Sequence, residues 1–164
     1  MTPRHFLSVQ SYSNWLADQA NGFLLLGISE HKREFAETVC RGDYIVTYVK
    51  DKGFADVRCV TGDTVVQFGN TAAYDEAFPY ALETKPIASL HSSRHIPADI
   101  LAERLTFTGK HTHWKHPVGH SLRLITQEDG LLLVSLVVAT GKADRITLNP
   151  RRTSFIVSER LAYA

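Results

Sequence analysis

Residues 5–28 read HFLSVQSYSNWLADQANGFLLLGI. His5–Val9 is a short apolar run with the length of a buried strand. Ser11–Asp18 reads as a short helix, with Ser11 or Ser13 placed to cap it by accepting from the free N–H groups of the first turn. Asn21-Gly22 breaks the chain, and Phe23–Ile28 is a second buried strand. Strand, short helix and strand in so short a span point to a mixed α and β domain.

Outward from this segment, strands dominate. Ser29–Val39 is the clearest helix, with Ser29 as its cap and Phe35, Ala36 and Val39 on one face; Gly42 ends it. Asp43–Val49 alternates in the manner of a strand, Asp51-Lys52-Gly53 is a turn, and Phe54–Val60 is the hairpin partner. Thr64–Phe68 is a further short strand, and residues 70–77 form a polar connection. Phe78–Leu90 is β-like, and Pro79 and Pro86 suit an edge strand. Pro97 opens a short helix to Leu105, and residues 110–121 form a long loop. Leu122–Thr126 and residues 127–138 follow. The run Gly130–Val138 within them fits a buried strand or a core helix, and residues 139–164 read as turn, strand, turn and strand. The expected class is α+β: a small, partly closed β-barrel with short helices around it. A parallel βαβ winding is the alternative, disfavoured because only one strong helix separates consecutive strands.

With 164 residues and 44% apolar content, the chain can bury the core of one domain. No apolar run approaches the roughly 18–20 residues that span a bilayer, so no membrane partner is expected. The first ten residues lack the apolar core of a signal peptide. Cys40 and Cys59 cannot build a disulfide framework, and the expectation is a cytoplasmic protein with reduced thiols.

The sequence offers residues for four kinds of chemistry. His111, His113 and His116, with His120 nearby, fall in one loop and offer imidazoles to a metal. The chain nevertheless lacks H-E-x-x-H and C-x-x-C, and no carboxylate lies in that loop. The ordinary reading is a solvated loop that gains charge in acid. Cys40 sits at a helix end that disfavours a thiolate, Cys59 fills a strand, and no G-x-S-x-G is present. Neither glycine-rich phosphate loop is present, so no nucleotide cofactor is expected. Last come aromatics beside hydrogen-bonding residues. Trp15 follows Ser11, Tyr12, Ser13 and Asn14, Phe23 opens the second strand, and Trp114 lies in the histidine loop. An extruded base needs such stacking faces and such donors and acceptors. Tyr44 and Tyr48, at strand spacing, read as core.

Several segments, taken in order, resemble the EVE domain, a member of the PUA-like superfamily related to the YTH modified-base readers. Gln10-Ser11-Tyr12-Ser13 is similar to the YTH opening, and Asn21-Gly22-Phe23 to the Gly-Gly-Phe region of EVE domains. Lys32 stands before Gly42 as a lysine does in many EVE sequences, and Arg41–Tyr48 resembles the family's G-D-x-hydrophobic-hydrophobic-x-Tyr strand. Phe78-Pro79-Tyr80, Pro86-Ile87, Leu105-Thr106-Phe107 and His120–Thr126 with Asp129 keep the family's order. The position resembling the first YTH cage tryptophan is Phe23, followed by Leu24.

The resemblance implies an EVE/PUA-like pseudo-barrel over residues 1–138, with residues 139–164 as an extension packed on the same domain. It also implies binding without turnover, to RNA or DNA, of a modified base. Ser11, Tyr12, Ser13, Asn14, Phe23 and Leu24 would line the pocket and Lys32 its rim; Trp15 either faces the pocket or anchors the helix.

The net charge of +1 hides unlike parts. Residues 1–84 carry 7 Lys/Arg against 11 Asp/Glu, residues 85–123 carry 6 against 2, and residues 139–164 carry 5 against 2. Local field rather than total charge steers a polyanion. Phosphate contacts are therefore expected at Lys110, Lys115, Arg123, Arg151 and Arg152. The other readings are a metal-assisted enzyme using residues 111–120 and a protein-interaction module using Leu131–Val138 and the tail, with the oligomeric state open.

Overall fold

The computed structural model describes residues 2–69, 72–108 and 122–148. The chain runs β1 (His5–Gln10), α1 (Tyr12–Ala20), β2 (Leu25–Ile28), a 3-10 turn (Glu30–Lys32) into α2 (Arg33–Ala36), β3 (Tyr44–Val49) and β4 (Gly53–Val60). After β5 (Val66–Gln67) and β6 (Tyr80–Ser89) come three 3-10 turns, then β7 (Leu122–Ile125) and α3 (Gln127–Leu148). The strands form one curled mixed sheet in the order β2-β6-β4-β3-β1-β7, with β5 also on β6. The fold is therefore α+β, a half-barrel with few helices, of which only α3 is long.

All six residues of β1 are buried, because both faces of the sheet are covered. Leu7 and Val9 point to a core shared with Val46, Val57, Leu133 and Val137, the last two from α3. Phe6 points the other way, to Leu26, Ile28, Ala36, Ile45 and Leu82. β1 pairs in parallel with β3, Phe6 opposite Ile45, and antiparallel with β7, His5 opposite Ile125. α3 lies close against β1 at Gly130, where a Cβ would come within 2.2 Å of the His5 ring.

Several elements differ from the sequence reading. Helix 29–39 is only a 3-10 turn and one α turn, and Ser29 makes no side-chain cap. Its end tightens because the Thr38 and Val39 N–H groups bond three residues back, and the Thr38 hydroxyl donates to the Phe35 carbonyl. β6 pairs with β2 and β5 through Tyr80–Glu83 but with β4 alone through Thr84–Ser89, so the half that holds Pro86 is an edge, as expected. Pro86 is tolerated because it falls at a register shift: Arg58 pairs with Pro86 and Val57 with Ala88, so Ile87 bulges out. The second strand begins at Leu25, not Phe23, and the 97–105 helix reduces to the turn Ala98–Ile100.

The run 130–138 is helix, and the helix continues across residue 138 to Leu148, where turn and strand were expected. Thr126 starts it, its hydroxyl accepting from the Asp129 N–H, while the Asp129 carboxylate accepts from the Thr106 N–H at 3.1 Å. The remaining tail, 149–164, lies outside the described residues.

His5 and His95 are buried, and His5 Nδ1 reaches no hydrogen-bond partner among the described residues. Burial pushes both below their ordinary value of 6.5. The unfolded chain therefore takes up these protons first. Their contribution to stability is present above 6.5 and is lost as pH falls toward the lowered folded-state values. The thermal midpoint by circular dichroism is expected to drop between about pH 7 and about pH 5. His95→Gln should flatten that drop; an unchanged slope in the variant would contradict the assignment.

Candidate functional site

The turn from α1 to β2 is built by its own sequence. Ser11 caps α1, its hydroxyl accepting from the Asn14 N–H. At the other end the Asn21 N–H bonds the Ala17 and Asp18 carbonyls. Gly22 and Phe23 then take φ of 69° and 58°, and the Phe23 N–H returns to the Asp18 carbonyl at 2.9 Å. A non-glycine residue there costs about 1–2 kcal/mol. Burial of the Phe23 ring and a 2.6 Å bond from the Thr84 hydroxyl to the Phe23 carbonyl offset it.

Beneath the turn lies an ionic cluster with no exposed surface. Arg58 donates through Nη1 to Asp18 Oδ2 at 2.7 Å and through Nε to Asp56 Oδ1 at 3.0 Å. Its guanidinium carbon sits 4.9 Å from the centre of the Phe23 ring. Burial alone would lower the Arg58 pKa; the two carboxylates more than offset this and hold it above the ordinary value. Every carboxylate oxygen is used. Asp18 also accepts from Gln10 Nε2 at 2.9 Å and the Tyr74 hydroxyl at 2.6 Å. Asp56 also accepts from Trp15 Nε1 at 2.7 Å and the Thr47 hydroxyl at 2.9 Å.

The segment 72–78 is fastened across the start of α1 through Asp75. Its carboxylate accepts from the Ser11 and Ser13 hydroxyls, at 2.8 and 2.9 Å, and from Asn14 Nδ2 at 2.7 Å. The Asp75 N–H donates to Asn14 Oδ1. Tyr74 packs edge-on against Phe68 and Phe78. Between this segment and the α1–β2 turn opens a cleft of about 440 Å³, lined by Asn21, Leu24, Leu25, Phe68, Ala73 and Tyr74, among others. A second cleft of about 250 Å³ lies at Arg4, His5 and Leu124.

The structure distributes the sequence-derived site residues as follows. Leu24, 56% exposed, lines the large cleft. Ser11, Ser13 and Asn14 hold Asp75. Tyr12 is half-buried, stacked on Trp15 with the Lys52 ammonium 4.2 Å from its ring centre. Trp15 and Phe23 are buried together. Lys32 lies apart from them, its ammonium over Phe35, in a small recess with Ser8, Gln10 and Ser29. The Arg123 guanidinium stacks on Phe107. Lys110, Lys115, Arg151, Arg152 and the histidines 111, 113, 116 and 120 lie outside the described residues. Among the described residues no three His, Cys, Asp or Glu side chains are grouped to hold a metal ion.

Sequence reasoning missed Asp18, Asp56, Arg58, Phe68 and Tyr74. A signal existed for two of them: Asp56 and Arg58, opposite charges two residues apart in a strand of apolar neighbours, share one face.

The fold is similar to that of the YTH domain of Zygosaccharomyces rouxii MRB1, a structure in complex with N6-methyladenosine RNA. The TM-score is 0.58 at 11% identity, covering 84% of this chain and 91% of that one. Pseudomonas putida supplies another similar structure, with TM-score 0.57 at 14% identity, covering 80% of this chain and 98% of that one. Protein PSPTO5229 from Pseudomonas syringae matches with TM-score 0.56 at 12% identity, over 80% and 98%. No family model matches the sequence, and no curated protein matches it. At these identities the likeness is one of fold.

Arg58→Ala leaves two buried carboxylates without their cation and is expected to cost about 3–5 kcal/mol in urea unfolding. Asp75→Ala should cost less, about 1–3 kcal/mol, and should speed amide hydrogen exchange across residues 72–78. Unchanged exchange there would show that Asp75 does not hold the segment.

Proposed function

We propose that this chain is an RNA-binding module that receives a modified base in the cleft between the α1–β2 turn and the residues Phe68, Ala73 and Tyr74, without turnover. The observation that carries the reading is the cleft itself, in a fold similar to a YTH domain solved with N6-methyladenosine RNA. Its volume falls in the range of small-ligand sites, about 300–1,000 Å³. Leu24 stands exposed at one wall, and Phe68 offers an aromatic surface at another. Stacking on an aromatic contributes about 1–3 kcal/mol per base and tolerates any base. The floor is stiff, because Tyr74, Asp18 and Arg58 lock it from below. In this reading Ser11, Ser13, Asn14, Trp15 and Phe23 support the cleft wall. Lys32, Arg123, Lys110, Lys115, Arg151 and Arg152 remain candidates for phosphate contact, which adds a salt-dependent term.

The test is a fluorescence titration with short single-stranded RNA and DNA, each carrying adenine or N6-methyladenine at one position, at two salt concentrations. Binding is expected for RNA, tighter with the modified base and weaker at higher salt. Phe68→Ala should weaken it by roughly 5- to 100-fold, the stacking contribution of one base. Equal binding of DNA would widen the partner class, and binding indifferent to Phe68→Ala and Leu24→Asp would remove the cleft from the account.

A further inference from the structure

We propose that Asn21 is a specificity-determining residue of this cleft, holding its Oδ1 as a fixed hydrogen-bond acceptor that selects a base with an N–H donor on its edge. The proposal rests on the reading of the cleft as a base site.

The argument is a chain of hydrogen-bond polarity that begins in the core. A guanidinium only donates, so the Asp18 carboxylate beside Arg58 is an acceptor at both oxygens. Oδ2 takes the Arg58 and Gln10 donors, and Oδ1 takes the Tyr74 hydroxyl at 2.6 Å. Tyr74 has one O–H hydrogen and spends it there. Its oxygen can then only accept from a further neighbour, and that neighbour is the Asn21 side chain at 3.3 Å. The amide must present its NH₂ to Tyr74. An asparagine amide is nearly symmetric in shape, and its orientation is decided by its partners; here the buried arginine decides it from three residues away.

Asn21 borders the cleft and is exposed, and its Oδ1 makes no hydrogen bond among the described residues. Its backbone is pinned as the cap of α1, with the N–H bonded to the Ala17 and Asp18 carbonyls. The side chain therefore offers an oriented acceptor from a fixed base. Leu24, Leu25, Phe68 and Ala73 around it are apolar. A site of this kind favours a flat ring with an exocyclic amino or alkylamino group over the same ring without one, because the acceptor loses water on binding and needs a replacement donor.

The experiment uses the full chain and two RNA oligomers identical except at one position, adenosine in one and purine riboside, which lacks the amino group, in the other. The wild type is expected to prefer adenosine by about tenfold. Tyr74→Phe frees the amide to turn, and Asn21→Ala removes it; in both, the ratio should fall toward one. Phe68→Ala should weaken both oligomers while keeping the ratio. Because Asn21 is exposed, Asn21→Ala decides the matter even if Tyr74→Phe unfolds. Equal affinity of the wild type for the two oligomers, with Leu24→Asp still weakening both, would overturn the role of Asn21 and leave the cleft standing. Binding unaffected by Leu24→Asp would overturn the cleft and this inference together.

Discussion

The guanidinium of Arg58, buried between Asp18 and Asp56, is the interaction on which this fold is hung. It joins β4 to α1 directly. Through Gln10, Thr47, Trp15 and Tyr74 it reaches β1, β3, the body of α1 and the segment that walls the cleft. Burying three charges carries a large desolvation cost, and a partly satisfied cluster would be worse than an apolar core. Here each carboxylate oxygen accepts at least one bond, and the flat face of the guanidinium rests on Phe23. Apolar contacts slide at small cost, whereas this geometry admits one arrangement of α1 on the sheet. The left-handed Phe23 and the short turn to β2 follow from it.

The same cluster separates two layers of polar chemistry. Below, one guanidinium and two carboxylates are buried and hydrogen-bonded to one another. Above, at the mouth of the cleft, Asn21 and Leu24 meet solvent. Tyr74 connects the layers, and burial together with the neighbouring Asp18 carboxylate raises its pKa above the ordinary tyrosine value. It therefore stays a neutral donor throughout the physiological range, and the polarity it passes upward does not depend on pH.

Local pattern alone revealed much of the architecture. Residues 5–28 and the hairpin 43–60 were legible because strand period, a serine cap and Gly/Asn breaks all agree there. The 29–39 segment misled because Phe35, Ala36 and Val39 fit a helical face, while Thr38 competes for the carbonyl the helix needs. Pro86 pointed to an edge because a proline cannot donate to a ladder, and the half of β6 that holds it pairs with β4 alone. α3 was hidden because its docking is tertiary, through Leu133 and Val137. At the site, Leu24 was within reach, since it adjoins Phe23 in the family resemblance. Phe68 and Tyr74 were not, because nothing local tells an aromatic in a polar connection that it will face α1. The register that unites Asp18, Asp56 and Arg58 comes from distant pairing, which no single-segment pattern contains.

The placing of β1 between β3 and β7 bears on how the chain is made. During synthesis β1 finds its parallel neighbour only after α1, β2 and α2 have emerged, and its other neighbour only when residues 122–125 arrive. Until then its hydrogen-bonding edge and the apolar face later sealed by α3 stand open. Contacts so distant in sequence slow folding and prolong exposure of sticky strand edges. The sheet is thus incomplete until β7 and α3 have been synthesised.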